Sequence, residues 1–389
     1  MFASSAFVSL FYLSWDETLR MLISGDMMQA AARTQLGNFA LAEQCTPAGK
    51  PPHIILIHQE SLMPPTLFTG ITYDPGIEPF FLSDDGLLHQ LHVETYGGGS
   101  WLTDFSLLAG VSTRSFGDMR PFLQIFLQGR LKETVPQYLT TCGYQNVLIF
   151  PMSANFISMG KFYTSIGFPE IIDMKAQKAP TDRERDRFYF QSAADAMEKH
   201  LRSSNQPLFV YIQTMAAHGP YSFTYMPEEN VPGGSGPSTY VNEYLRRVDM
   251  AKRDGDFFIA ELKRRFPNEP ILVVRYGDHQ PGMPELIGLP PFSLGGLITE
   301  DRVPIAFRTF YAMSGLNYKV PDLPNYDMLD ISYLGTVMIE AAGLPLSEAQ
   351  RERKRLMAVC DGLYFGCDRS SDILAFNRRL INSGLVLAQ

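Results

Sequence analysis

Apolar residues run almost unbroken through "HIILIHQES" at 53–61. A short, Ile-rich run without polar alternation is how a strand buried on both faces reads. "YQNVLIF" (144–150), "PLFVYIQT" (207–214) and "EPILVVRYGD" (269–278) share this character, and "VPIAFRTFYA" (303–312) is a fifth candidate. Between them, helical patterns are expected at 101–110, 131–141, 189–202, 239–266 and 327–342. Strand–helix alternation of this kind predicts an α/β fold: a mostly parallel central sheet with helices on both faces. Two Pro- and Gly-rich stretches, 226–238 and 281–299, read as surface loops. After about residue 344, "SEAQRERKRLM" and "DILAFNRRLI" predict a small helical part with basic faces. These helices read first as packed on the core, and second as a membrane-surface contact.

The length of 389 residues suits one large domain with a small appendage. A net charge of −8 without a Lys/Arg block excludes nucleic acid as a partner, because backbone binding needs a basic footprint. No internal repeat is evident. The first residues, "MFASSAFVSLFYLSWDETLR", are apolar only as far as Asp16. That is short of the ~20 residues of a membrane span, and no basic leader region precedes it. The end of a membrane helix, an interfacial segment and a buried helix all remain open. Cys45, Cys142, Cys360 and Cys367 form no C-x-x-C pair. Cys360 and Cys367 bracket a turn-like segment, and at this point a small disulfide loop and free thiols are both open.

In parallel sheets, ligands bind beyond the carboxyl ends of the strands. The first strand ends at Glu60. The fourth ends at Asp278-His279. The third leads into His218. The loop between the first two strands carries "GGGSWLTD", with Ser100 opening a helix. Two carboxylates and an imidazole form a competent set for a divalent cation, Mn²⁺ or Zn²⁺ before Mg²⁺. Ser100 would complete it as a nucleophile activated by metal contact. Taken singly, each residue has a plainer reading. Ser100 can be a helix cap, Glu60 a cap, "GGG" a hinge and Asp278-His279 a turn. Their coincidence at one sheet edge favours the site. Asp104 reads as an acid favoured by the helix dipole. His53, His58 and His89 read as structural, and His92 is ambiguous.

The order Glu60, Gly-rich loop with Ser100, "HGPY", "RYGDHQP" resembles the alkaline phosphatase and sulfatase superfamily. The branch it resembles holds lipoteichoic acid synthases, phosphoglycerol transferases and phosphoethanolamine transferases. The resemblance spans about residues 50–345. It implies Ser100 as nucleophile and Glu60, Ser100, Asp278 and His279 as ligands of one metal ion. His218 matches a histidine near the transferred group. Ser100 is followed by "WLTD" and not by the Pro-containing context of formylglycine maturation, so a transferase is implied over a sulfatase. Gln213 stands where two-metal members carry an Asp. The glycerophosphate-binding Trp and Arg of lipoteichoic acid synthases have no equivalent in "PMSANFISMGKFYTSIGF", where Asn155 and Lys161 are the polar substitutes. Trp101 joins them as a candidate substrate contact.

The implied function is transfer of phosphoglycerol or phosphoethanolamine from a phospholipid to a glycan. A phosphodiesterase or phosphatase and a non-catalytic lipid- or glycan-binding relative are the alternatives. The resemblance implies a chain anchored in the bacterial inner membrane, with its catalytic domain facing the periplasm or otherwise outside the cytoplasm. The chain accordingly divides into 1–49, the end of a membrane anchor; 50–345, the catalytic domain; and 346–389, a helical extension. The resemblance also implies a Cys360–Cys367 disulfide, with Cys45–Cys142 a second candidate.

Overall fold

A computed structural model describes residues 27–32, 36–41, 44–288 and 304–387. The amino-terminal apolar run and most of the 281–299 loop lie outside them. The strands are β1 (His53–Gln59), β2 (Thr72–Tyr73), β3 (His89–His92), β4 (Gln145–Ile149), β5 (Glu170–Ile172), β6 (Leu208–Gln213), β7 (Gly234–Ser235), β8 (Ile271–Gly277), β9 (Arg308–Leu316) and β10 (Leu329–Asp330). The helices are α1 (Ser100–Ala109), α2 (Leu123–Phe126), α3 (Val135–Thr141), α4 (Met159–Ser165), α5 (Asp186–Leu201), α6 (Thr239–Arg265), α7 (Ile331–Ala341), α8 (Glu348–Val359) and α9 (Ser370–Asn382).

Eight strands form the main sheet in the order β10-β3-β9-β8-β1-β6-β4-β5. Strands β8, β1, β6, β4 and β5 are parallel, and β9 runs antiparallel to both its neighbours. The unbroken apolar run of β1 has a simple cause. Ile54 and Leu56 face one hydrophobic layer, while Ile55 and Ile57 face the other. The first layer is covered by α1, α3, α4 and α7, through residues such as Phe105, Leu139, Phe162 and Val337. The second is covered by α5 and α6, through Phe190, Met197, Phe258 and Leu262.

Local signals set the helix ends. The Ser238 side chain accepts from Val241 N at the start of α6, and Ser347 forms a capping box with Gln350 at the start of α8. Helices α8 and α9 add Leu356, Phe376 and Leu380 to the first layer. Both disulfides, Cys45–Cys142 and Cys360–Cys367, are formed. Among the described residues no helix is long and apolar enough to cross a membrane.

The expected fifth strand is displaced. Pro304 opens a 3-10 turn at Ile305–Phe307, and the strand proper is β9. Proline lacks the N–H that a ladder position needs. Strand β3 lies outside the expected strands, since its four residues are too few to show a period. Its histidines are structural: His89 Nε2 lies 2.8 Å from Asp85, and His92 Nδ1 lies 2.9 Å from Asp330.

Candidate active site

Strands β8, β1 and β6 are neighbours and parallel, so their carboxyl ends emerge together. Glu60 follows β1, Asp278 and His279 follow β8, and Thr214 follows β6. The Ser100 hydroxyl reaches this group from the start of α1. Its Oγ donates to Glu60 Oε2 at 3.1 Å and lies 3.4 Å from His279 Nε2. His279 Nε2 is also 3.5 Å from Glu60 Oε1 and 3.2 Å from Asp278 Oδ2. Ser61 ties the carboxylates to each other. Its N–H donates to Asp278 Oδ1 at 2.7 Å, and its hydroxyl donates to Glu60 Oε1 at 2.7 Å. Ser61 does so from a left-handed backbone, φ 54°, a conformation costing about 1–3 kcal/mol that such sites carry.

The glycine loop presents Ser100. The helix cap is Gly99, at φ 83°, and Ser100 is the first residue within α1. Its side chain is therefore free of capping and turns to Glu60. Gly97 also has positive φ, and a Cβ there would stand 2.9 Å from the Gly282 backbone. The loop thus packs against the segment that follows Asp278-His279, and only glycine permits that approach.

The chemistry of these residues fits a divalent cation. Asp278 Oδ2 is buried and has no hydrogen-bond partner. Donor atoms around one ion with bonds of about 2.0–2.2 Å stand roughly 3.0–3.5 Å apart. The contacts just given, 3.1 to 3.5 Å, match that spacing. His58, Glu60 and Asp278 also offer ligand atoms within 4.8 Å of one another. Burial raises the pKa of the Glu60 carboxyl, but the imidazoles of His279 and His58 outweigh it and hold it well below the usual range.

Above this group lies a pocket with about 680 Å³ of empty space, open to solvent on one side. Ser100, His218 and Trp101 line it, as do Met152, Phe156 and Ile157. The indole N–H of Trp101 is buried and has no hydrogen-bond partner among the described residues. Phe156 and Ile157 are exposed at the lip. His218 is carried on a loop clamped by the buried Arg247, which donates to His218 O at 2.6 Å and to Pro220 O at 3.1 Å. Arg247 is in turn paired with Glu243 at 2.7 Å.

Glu60, Ser100, Trp101, His218, Asp278 and His279 are therefore gathered as the sequence suggests. Asn155 and Lys161 line a separate surface depression, beside Gln128 and Thr164, and are absent from the lining of this pocket. The segment after β4 gives Met152, Phe156, Ile157 and Met159 to the pocket, while Asn155 and Lys161 belong to the other depression.

His58, expected to be structural, stands inside the site: its Nε2 is 3.2 Å from Asp278 Oδ2 and 3.6 Å from Glu60 Oε2. Asp104 does not serve the helix dipole alone, since it bonds His58 Nδ1 at 2.8 Å. The period of two along a strand was the available signal, because it places residues 58 and 60 toward the same side. Gln213 is also engaged, donating to Asp104 Oδ2 at 2.8 Å.

A parallel-centred sheet thus carries a serine, two acids and a histidine at its carboxyl edge, the arrangement implied by the resemblance to the alkaline phosphatase and sulfatase superfamily. The sequence model of the Sulfatase family matches residues 52–319, and the chain belongs to that family. The fold is similar to that of the phosphoglycerol transferase GacH of Streptococcus pyogenes, solved with sn-glycerol-1-phosphate. The TM-score is 0.67 at 19% identity, covering 88% of both chains. The lipoteichoic acid synthase LtaP of Listeria monocytogenes gives 0.57 at 16% identity, over 82% of this chain and 76% of that one. The lipooligosaccharide phosphoethanolamine transferase EptA of Neisseria meningitidis gives 0.54 at 10% identity, over 89% and 63%. An uncharacterized protein of Haemophilus influenzae is 25% identical over 342 residues. That match covers 84% of this chain, which spans 57% of the Haemophilus protein's length.

Proposed function

We propose that the chain is a metal-dependent phosphotransferase. It moves phosphoglycerol, or phosphoethanolamine, from a phospholipid to a glycan of the cell envelope through Ser100. The observation that carries this reading is the placement of Ser100 Oγ, 3.1 Å from Glu60 and 3.4 Å from His279 at the floor of the pocket. Glu60, Ser100, Asp278 and His279 would hold one divalent ion. When bound, it would lower the pKa of the Ser100 hydroxyl and offset charge on the phosphoryl oxygens.

Ser100 loses its proton to solvent, and its Oγ attacks the phosphorus of the donor. A P–Oγ bond forms and the bond from phosphorus to the diacylglycerol oxygen breaks. His218 protonates that oxygen. The hydroxyl of the acceptor then gives its proton to His218 and attacks phosphorus. The P–Oγ bond breaks, and Ser100 returns as its alkoxide. Trp101 lines the pocket, and its Nε1, buried and without a partner among the described residues, would donate to a phosphoryl or head-group oxygen once substrate is bound. Phe156 and Ile157 at the lip suit the apolar part of a lipid donor. A lipid donor places the chain at a membrane surface, the inner membrane facing the periplasm in this reading.

With water in place of the glycan, the same residues make a phosphodiesterase. Incubation with phosphatidylglycerol, with and without a glucan, separates the two when phosphorus is followed by mass spectrometry. Phosphoglycerol on the glucan supports the proposal, and free glycerol phosphate in both reactions points to the hydrolase. Intact donor in both contradicts either activity.

A further inference from the structure

His58 lies on β1 two residues before Glu60 and is only 2% exposed. Its Nδ1 is 2.8 Å from Asp104 Oδ1. Asp104 is itself buried and surrounded by donors. Tyr276 Oη donates to Oδ1 at 2.7 Å, while Tyr163 Oη at 3.1 Å and Gln213 Nε2 at 2.8 Å donate to Oδ2. A carboxylate so placed accepts from Nδ1–H and thereby leaves Nε2 as the free ring nitrogen.

That nitrogen faces the active site, 3.2 Å from Asp278 Oδ2 and 3.6 Å from Glu60 Oε2. Asp278 Oδ2 makes no hydrogen bond despite complete burial, although His58 Nε2 and His279 Nε2 each stand 3.2 Å from it. His58, Glu60 and Asp278 offer ligand atoms within 4.8 Å of one another. A cation among them would give Asp278 Oδ2 the partner it lacks.

We propose that His58 Nε2 is a further ligand of the metal ion, with Asp104 as the positioning residue that fixes its tautomer and ring. The donor set becomes two imidazoles, two carboxylates and the Ser100 hydroxyl. Imidazole suits zinc, whereas an all-oxygen set suits magnesium, so the second nitrogen directs the site to zinc over magnesium. The carboxylate behind a ligating histidine both orients it and raises its basicity.

The inference rests on the proposal that Glu60, Asp278 and His279 bind a metal, and the experiment separates the two. The full chain is stripped with chelator and titrated with Zn²⁺ and Mg²⁺ against a chromophoric competitor. His58→Gln should lose more zinc affinity than the roughly 10–100-fold expected for Asp104→Asn as a supporting residue. Wild-type zinc affinity in both variants, each with a native circular dichroism spectrum, overturns the role of His58. X-ray absorption on the zinc-loaded wild-type chain needs no variant. Two imidazoles support the assignment and one overturns it. If the wild-type chain binds no metal, the reading of the site as a metal centre falls first, and this inference falls with it.

Discussion

Ser100 Oγ stands 3.1 Å from Glu60 Oε2, where the start of α1 meets the end of β1. The hydroxyl and the carboxylate meet because Gly99 takes the capping position and frees the serine. Glu60→Gln keeps the shape and removes the charge. It should weaken metal binding by more than the roughly 10–100-fold that a supporting residue costs. Competition with a chromophoric chelator gives the figure, and an unchanged affinity would remove Glu60 from the ligand set.

Trp101 makes a separable prediction. Its indole N–H has no hydrogen-bond partner among the described residues, so its loss should leave the fold intact. Trp101→Phe should lower kcat/KM by roughly two- to twelvefold, the worth of one hydrogen bond of about 0.5–1.5 kcal/mol. Steady-state kinetics and a melting curve, read together, test this. An unchanged kcat/KM would dismiss the contact.

Arg247 holds the loop that carries His218, and Glu243 is its buried partner. Tyr221, Phe223 and Tyr225 ring its guanidinium at 5.0, 5.3 and 5.1 Å. Arg247→Met takes from Glu243 its 2.7 Å ion-pair partner, leaving the Tyr225 N–H and the more distant Arg246 at 4.0 Å, and frees the loop. The expected cost is about 3–5 kcal/mol in denaturant unfolding, with a fall in kcat at temperatures where the variant is still folded. A loss below ~1 kcal/mol would show that the pair adds only what an exposed ion pair does.

Asp186 opens α5 and accepts from Met215 N and Ala216 N, in the turn that leads toward His218. Burial first, and then the charge of Asp254, pushes its carboxyl up to about 7 from an ordinary 3.8. Between those values the folded chain holds a proton that the unfolded chain has released. Raising the pH through that window therefore favours unfolding, and the stability that this proton supplies is lost by the time the pH passes the folded value. Asp186→Asn keeps an acceptor oxygen and does not titrate. Relative to wild type it should gain stability between pH 5 and pH 8, as read by chemical denaturation at each pH. A constant difference across the range would refute the raised pKa.

Much of the site was legible because its parts lie at strand ends. The run at 53–59 and "GDH" after 271–277 are local signals, and parallel neighbours bring their carboxyl ends together. His58 was not legible. Inside an apolar run an imidazole looks structural, and its partners Asp104 and Tyr276 lie 46 and 218 residues away. Only the register of β1 against α1 and β8 brings them together. Lys161 and Asn155 show the converse. They follow a strand end, as site residues do, yet the turn after β4 gives the pocket to Met152, Phe156 and Ile157. The sheet's parallel centre was plain from its long apolar runs, while β3, β5 and β10 are too short to announce themselves.

Ser100→Ala removes the hydroxyl proposed as the nucleophile. Turnover of a phosphatidylglycerol-type phosphodiester is measured with metal present and with folding checked by circular dichroism. The expected loss is at least ~10²–10³ in rate, or about 3–4 kcal/mol of transition-state stabilisation. Turnover near the wild-type rate would contradict that role for Ser100.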